Sequence, residues 1–229
     1  GSAPIPKKAI VFAGVSDPVA FRFVDSLARP GGQMTGLSYL GIDLNVKRLQ
    51  LLKESFPGAT RIGVLVPSQH ALRARMVHDV GVAATAVGVT LVPVEVAGGL
   101  RDDVLARIDA AFETFGRERV DAVLGMQGPI FFRERRRIAE LSLRHRLPGA
   151  FELAPYVEDG ALMAYGPSVT DLYRHAARYT DRILRGAKPA ELPVEQPTKV
   201  ELVVNLKTAR ALGIRLPPAV LLRTDRVIE

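Results

Sequence analysis

The sequence predicts an α/β protein built on parallel sheets, and three observations carry that prediction. Short β-branched runs alternate with helical stretches, the pattern of a sheet covered by helices on both faces. The helical stretches keep their apolar residues on one face. Glycine and proline punctuate the joints, as at Pro57-Gly58 and Gly88.

Taken in order, a first strand is expected at residues 9–13, and Pro18 then begins a helix that Ser16 or Asp17 caps. A second strand follows at 34–37. After Asn45 comes a helix, because Leu49, Leu52 and Phe56 share one face while Lys47, Lys53 and Glu54 point outward. Residues 61–66 form the next strand, 71–87 a helix closed by Gly88, 90–94 a strand, and 102–115 a helix with Ile108, Ala111, Phe112 and Phe115 apolar. Strands at 122–126, 149–151 and 162–165 precede a helix at 172–184. The proline-rich stretch from Pro189 to Pro197 reads as an extended connector, since each proline restricts its predecessor. A short strand and helix pair ends the chain.

Residues 42–165 thus hold a full set of strands and helices and are expected to form one lobe, with 6–41 and 166–229 forming a second, partial lobe. The sheet of that second lobe would be small, with an exposed edge beside Ile10 to Phe12 that another copy of the chain can cover.

A chain of 229 residues, 48% hydrophobic and 24% charged, can bury a real core. It has no apolar run of about 18 residues and no visible signal peptide. The opening Gly1-Ser2 reads as a cloning remnant. With no cysteine, disulfides, thiolate metal sites and cysteine nucleophiles are excluded. The net charge of +7 raises an anionic partner, nucleic acid or a membrane surface. The densest basic run, Arg133 to Arg137, is interrupted by Glu134 and continues into Ile138-Ala139-Glu140-Leu141, so its arginines read as the wet face of a helix. Aromatic residues that would stack on bases are only 6% of the chain, and no nucleic-acid partner is expected.

Enzyme signals are poor. Neither G-x-G-x-x-G nor G-x-x-x-x-G-K-[ST] occurs, so the usual phosphate loops are absent. The segment Gly36-Leu37-Ser38-Tyr39-Leu40-Gly41 is one residue too long for a nucleophile elbow. His70 and His78, spaced by eight on one expected helix, lie about 12 Å apart along its axis, too far to share a metal. His145 falls at a helix end, and Glu152, Glu158 and Asp159 form a carboxylate group without a partnered acid or base. No catalytic residue, metal site or cofactor is expected.

In open α/β sheets, ligands bind beyond the carboxyl ends of the strands, where loops lead into helices. Those loops carry Ser16, Asp17 and Pro18 after the first strand, Ser68 and Gln69 after the third, Gln127 and Gly128 after the fifth, and Glu152 after the sixth. Free amides at a helix start suit a ligand carboxylate, a carboxylate at a strand end suits an amine, and Gln127 can bond either. From the residues alone each is equally an ordinary helix cap or solvent-facing loop residue. Tyr39 and Tyr165 fall near the expected lobe crossings, to stack on a ligand or to pack there.

Two stretches resemble a known family. The first runs from Leu192-Pro193-Val194-Glu195-Gln196-Pro197 through Val203-Val204-Asn205-Leu206 to Ala211-Leu212-Gly213-Ile214. The second is Val11-Phe12-Ala13-Gly14-Val15-Ser16-Asp17-Pro18-Val19, followed by Leu27-Ala28-Arg29-Pro30-Gly31-Gly32 and Thr35-Gly36-Leu37-Ser38. Both are similar to the substrate-binding proteins of bacterial ABC importers, as are Tyr165-Gly166-Pro167 and Ile183 to Pro189. The resemblance covers the chain from about Pro6 onward and implies a type I periplasmic binding protein fold, two Rossmann-like lobes with parallel sheets. The family's further opening strands are not matched, so the N-terminal lobe is expected to be incomplete and ligand binding by such a piece weak or lost.

What the resemblance implies is a small-molecule ligand, an amino acid among the candidates, held between lobes by hinge closure and presented to an ABC permease. It also implies a periplasmic or lipoprotein-anchored location. Under it, Ser16, Asp17, Pro18, Ser38, Tyr39, Ser68, Gln69, Gln127, Gly128, Glu152 and Tyr165 become the expected ligand-binding set. The same fold also serves as the sensing domain of regulators and receptors, which is the alternative reading.

Overall fold

The structure, a computed structural model, describes residues 8–39, 41–197 and 199–229. Gly1-Ser2, the expected lobe start at Pro6, Leu40 and Thr198 lie outside them. In chain order the elements are β1 (Ile10–Val15), β2 (Met34–Ser38), α1 (Asp43–Ser55), β3 (Arg61–Pro67), α2 (Arg73–Ala86), β4 (Thr90–Val96) and α3 (Arg101–Arg117). Next come β5 (Ala122–Gly125), α4 (Pro129–Arg133), α5 (Arg135–Arg144), β6 (Gly149–Phe151), α6 (Ala154–Glu158) and β7 (Met163–Pro167). The chain ends with α7 (Val169–Leu184), β8 (Val200–Asn205), α8 (Leu206–Leu212), α9 (Pro218–Leu221) and β9 (Arg226–Ile228). They fall into two units, a smaller one of Gly1–Leu40 with Pro167–Val200 and a larger one of Gly41–Gly166 with Glu201–Glu229.

The larger unit is organised by a sheet in the order β4-β3-β5-β6-β7-β8-β9. The pairings of β3 with β4 and β5, β5 with β6, β6 with β7, and β8 with β9 are all parallel. Successive strand residues point to opposite faces, and both faces are covered. Ile62, Val64 and Val66 of β3 and Leu124 of β5 join one apolar cluster with Leu49 and Leu52 of α1 and Met76, Val80 and Ala84 of α2. Gly63, between Ile62 and Val64, faces the other way: a Cβ there would come 2.7 Å from the ring of Phe115 on α3. Burying each such Leu or Phe stabilises the fold by about 1.5–3 kcal/mol, so this two-faced core fixes the parallel strands whose carboxyl ends share one edge. That edge, the carboxyl ends of the strands, is what the fold offers a ligand.

The smaller unit has a two-stranded parallel sheet, β1 against β2, registered Ile10 to Met34 through Ala13 to Leu37. Gly36 sits where a Cβ would fall 2.0 Å from the Phe12 carbonyl oxygen, and its φ of +145° suits glycine alone. Helix α7 packs on both strands. It starts with Ser168, whose Oγ accepts the Asp171 amide at 3.4 Å. The connector is not loose: Thr35 Oγ1 donates to the Leu192 carbonyl at 2.6 Å, Tyr179 Oη to that of Pro193 at 2.5 Å, and Glu195 bridges in parallel to Leu37.

The α/β class and the parallel pairing agree with the sequence reading, and three details differ. No helix follows Pro18; residues 18–26 run as successive turns. The segment 201–229, expected in the partial lobe, belongs to the larger unit, where β8 takes a place beside β7 and Leu202 and Val204 are buried. Helix α2 begins at Arg73, so His70 precedes it and does not share it with His78.

The basic run lies along α4 and α5 and is threaded with ion pairs. Arg133 and Arg101 both reach the buried Glu134 carboxylate, at 2.7 and 3.4 Å. Arg135 and Arg136 hold Asp159 at 2.8 and 3.0 Å, and Arg137 grips Asp109 with two bonds of 2.8 and 2.7 Å.

Candidate functional site

Three loops meet at the carboxyl edge of the larger unit's sheet. Residue Gly128 is buried and extended, and a Cβ on it would sit 3.0 Å from Cβ of Pro67, the last residue of β3. The loop bearing Ser68 therefore lies directly against the one bearing Gln127. The Gly128 carbonyl accepts the amides of Phe131 and Phe132, which starts the single turn of α4. Glu152 follows β6, the next strand in the sheet. Gly166 closes on the Glu152 carbonyl so tightly that a Cβ would lie 1.8 Å from it.

Two acceptors at this edge stand out by burial. Gln127 is 4% exposed, and its Oε1 has no hydrogen-bond partner among the described residues. Glu152 is 5% exposed. For Gln127 Oε1, a buried acceptor without a donor costs about 1–3 kcal/mol, so the arrangement favours whatever brings a donor to it. Ammonium groups supply three.

The other expected residues of this unit divide. Ser68 is half-buried and spends its amide on the Val96 carbonyl at 3.1 Å; it does not cap α2. The cap-like bond comes from His70, whose Nδ1 accepts the Leu72 amide at 3.1 Å, and burial holds its pKa below the ordinary imidazole value. Gln69 is exposed and leans over Gly98, with Oε1 2.6 Å from where a Cβ would be. Tyr165 packs against the main apolar cluster.

Its carbonyl has a partner that the sequence reading passed over. Arg48 is fully buried; its Nε donates to the Tyr165 carbonyl at 2.8 Å, its Nη1 to Asn45 Oδ1 at 2.6 Å and its Nη2 to the Gly41 carbonyl at 3.4 Å. One side chain thus ties both ends of the segment 41–165. An arginine between Lys47 and Leu49 on an amphipathic helix gives no sequence sign of such burial.

In the smaller unit, Ser16, Asp17 and Pro18 follow β1. Asp17 Oδ1 accepts the Ala20 amide at 2.9 Å, as an N-cap would, but only turns follow. The helix start expected to receive a carboxylate is therefore not there. Ser38 and Tyr39 are buried at the end of β2, their amides given to the Glu195 and Val15 carbonyls at 2.8 Å each. Phe21, Arg22 and Phe23, outside the expected set, emerge from the turn after Asp17.

The carboxylates near β6 are committed to structure, Glu158 to Arg226 at 2.7 Å and Asp159 to its two arginines. His145 ends α5 with its ring 5.8 Å from that of Phe112. Among the described residues no three His, Asp or Glu side chains gather as a metal site, and no helix is long and apolar enough to cross a membrane.

Comparison with known proteins fits this frame. The family model described as ABC transporter substrate binding protein matches residues 2–228. A tyrosine-binding protein of Clostridioides difficile is 25% identical over 214 residues, covering 90% of this chain and 57% of that one. The chain thus spans somewhat over half of that curated relative. Among solved structures, a conserved domain protein from Vibrio cholerae is 27% identical with a TM-score of 0.83, covering 96% of this chain and 72% of that one. A Streptococcus pneumoniae ABC domain in complex with L-Trp is 24% identical with a TM-score of 0.80, covering 96% and 73%. At that identity the likeness shows the fold.

Proposed function

We propose a function that proceeds from one premise: this chain belongs to the ABC transporter substrate binding protein family. On this reading it is the solute-binding part of an ABC importer, working outside the cytoplasmic membrane and delivering its solute to a permease. The solute is an amino acid. The observation that carries this is the pair of buried acceptors at the carboxyl edge, Gln127 Oε1 without a donor and Glu152 beside it in the strand order, which suit an α-ammonium group. A relative bound to L-Trp and another named as tyrosine-binding support the same class.

No bond is made or broken. Solute that engages loops of both units stabilises the arrangement in which it does so, and its free energy of binding sets the shift. Ser16, Asp17, Pro18, Ser38, Tyr39, Ser68, Gln69, Gly128 and Tyr165 remain proposed neighbours of that solute. Calorimetry against a panel of amino acids, with ligand-observed NMR for weak binders, tests the reading. Gln127→Ala should weaken the best ligand by roughly 10–100-fold, the worth of one hydrogen bond to a charged group at about 1.5–3 kcal/mol. Equal binding by the variant, or no amino acid bound by the parent chain, would sink it.

A further inference from the structure

We infer that Arg48 and Asn45, inside the larger unit, form a buried site for a small monovalent anion, a halide ion. The site is separate from the solute loops and holds whether or not the chain binds an amino acid. Both residues lie on α1 at a spacing that puts them on one face of the helix. Arg48 is 0% exposed and Asn45 1%. A guanidinium stays charged, and a charge taken out of water is costly unless an opposite charge meets it. Arg48 meets none among the described residues: its acceptors are the Tyr165 carbonyl at 2.8 Å, Asn45 Oδ1 at 2.6 Å and the Gly41 carbonyl at 3.4 Å, all neutral. The carboxylates of its own helix are committed elsewhere, Asp43 to Arg75 at 3.0 Å and Glu54 to Arg223.

Donors here outnumber acceptors. A guanidinium carries five N–H groups, and Arg48 spends three of them, the last at the long distance of 3.4 Å. Asn45 spends its Oδ1 on Arg48, while its Nδ2, also buried, has no hydrogen-bond partner among the described residues. Because Oδ1 and Nδ2 belong to one carboxamide, the bond to Arg48 sets the unpaired Nδ2 beside the guanidinium. The first turn of α1, which holds Asn45, adds the partial positive charge of a helix start.

Spare donors beside an uncompensated positive charge repel a cation and suit an anion. A water molecule accepts hydrogen bonds but brings no charge, so it satisfies the amide and leaves the guanidinium unbalanced. An anion does both. Burial this complete restricts it to a small ion that gives up its water, which points to a halide and away from sulfate or a large carboxylate. Seated there, the ion is the counter-charge of the clamp through which Arg48 ties Gly41 to Tyr165, and the stability of the larger unit depends on it.

The test is a thermal melt of the full chain in sodium bromide, with ionic strength held constant by sodium gluconate, whose anion is too large for the site. Above half-saturation the melting temperature should rise by roughly 3–6 °C for each tenfold rise in bromide. Asn45→Asp builds a carboxylate into the same position: it should melt at or above the parent in gluconate and show no bromide response. Asn45→Ala, which covers the case in which the aspartate variant misfolds, should need about 10-fold more bromide for the same rise. The line width of the chloride NMR signal gives a second readout, broadened by the parent, narrowed by added bromide and unbroadened by Asn45→Asp. A parent that melts alike in bromide and gluconate and leaves the chloride line sharp holds water only, which overturns the inference. Equal responses from the parent and both variants would place the ions on the surface and overturn it as well.

Discussion

Replacing Arg48 with methionine should destabilise the larger unit by about 3 kcal/mol. The guanidinium is fully buried and makes two short bonds, to Tyr165 O at 2.8 Å and Asn45 Oδ1 at 2.6 Å, with a weaker third to Gly41 O at 3.4 Å. Methionine keeps the stem and fills similar space, but leaves two buried acceptors without donors at about 1–3 kcal/mol each, roughly 2–6 together. Against this stands the relief of not burying a charge among neutral acceptors, which brings the net to the middle of that range. For a protein of this size each kcal/mol moves the melting temperature by about 2–4 °C, so the transition should fall by roughly 6–12 °C. Urea unfolding followed by circular dichroism measures it. A loss under about 0.5 kcal/mol, or a gain, would show that the burial of the charge outweighs the bonds and would refute the clamp. Function bears on it because Gly41 and Tyr165 stand at the two ends of the segment that Arg48 ties, next to the residues where the chain changes units.

Three further outcomes are expected. Gly63→Ala should cost about 1–3 kcal/mol in a thermal melt, because its Cβ meets the Phe115 ring at 2.7 Å and that ring is fully buried. Asp109→Asn should lose under about 1 kcal/mol at neutral pH, the pair with Arg137 being partly exposed. The Arg137 guanidinium holds the Asp109 carboxyl below its ordinary pKa, so the pair's contribution is full above about pH 4 and disappears as pH falls through the depressed value; the difference between parent and variant should close there. Burial, then the neighbouring Glu195, pushes the Tyr179 phenol up, so its neutral form contributes stability that is full below the ordinary value of about 10 and is lost as pH rises beyond it. Tyr179→Phe, lacking the bond to Pro193, should be about 1 kcal/mol less stable near neutrality and should show no such alkaline loss.

The sequence read best where the signal is local. Apolar spacing located α1 through Leu49 and Leu52, and glycine and proline marked its end at Pro57. It failed after Pro18 for a reason that the turn itself displays. Asp17 makes the bond of an N-cap to Ala20, and proline begins many helices, so both start signals are genuine. Arg22 at φ +56° then breaks the run of right-handed residues that a helix needs to propagate. Nucleation without propagation is invisible to a reading of start signals. The site was legible as strand ends and not as burial: that Gln127 Oε1 lacks a partner, or that Arg48 is dry, depends on residues distant in sequence.

The misplaced closing segment carries a more general argument. Following the chain places residues 200–205 in the partial lobe, yet Leu202-Val203-Val204 is an unbroken apolar run. Such a run belongs to a strand covered on both faces. Leu202 and Val204 do join the cluster with α1 and α2, while Val203 joins Ala154, Val157 and Ala164. A two-stranded sheet has too little helix around it to cover two faces; the larger sheet, with helices on both sides, takes β8 as one of its seven strands. The apolar count alone therefore decides which sheet β8 enters, and with it which unit the family's closing signature completes. Polar substitution of Val203 should accordingly unfold the larger unit's sheet at β7 and β8, read by hydrogen exchange, and leave the protection of β1 and β2 in place; loss of protection in β1 and β2 first would overturn the assignment.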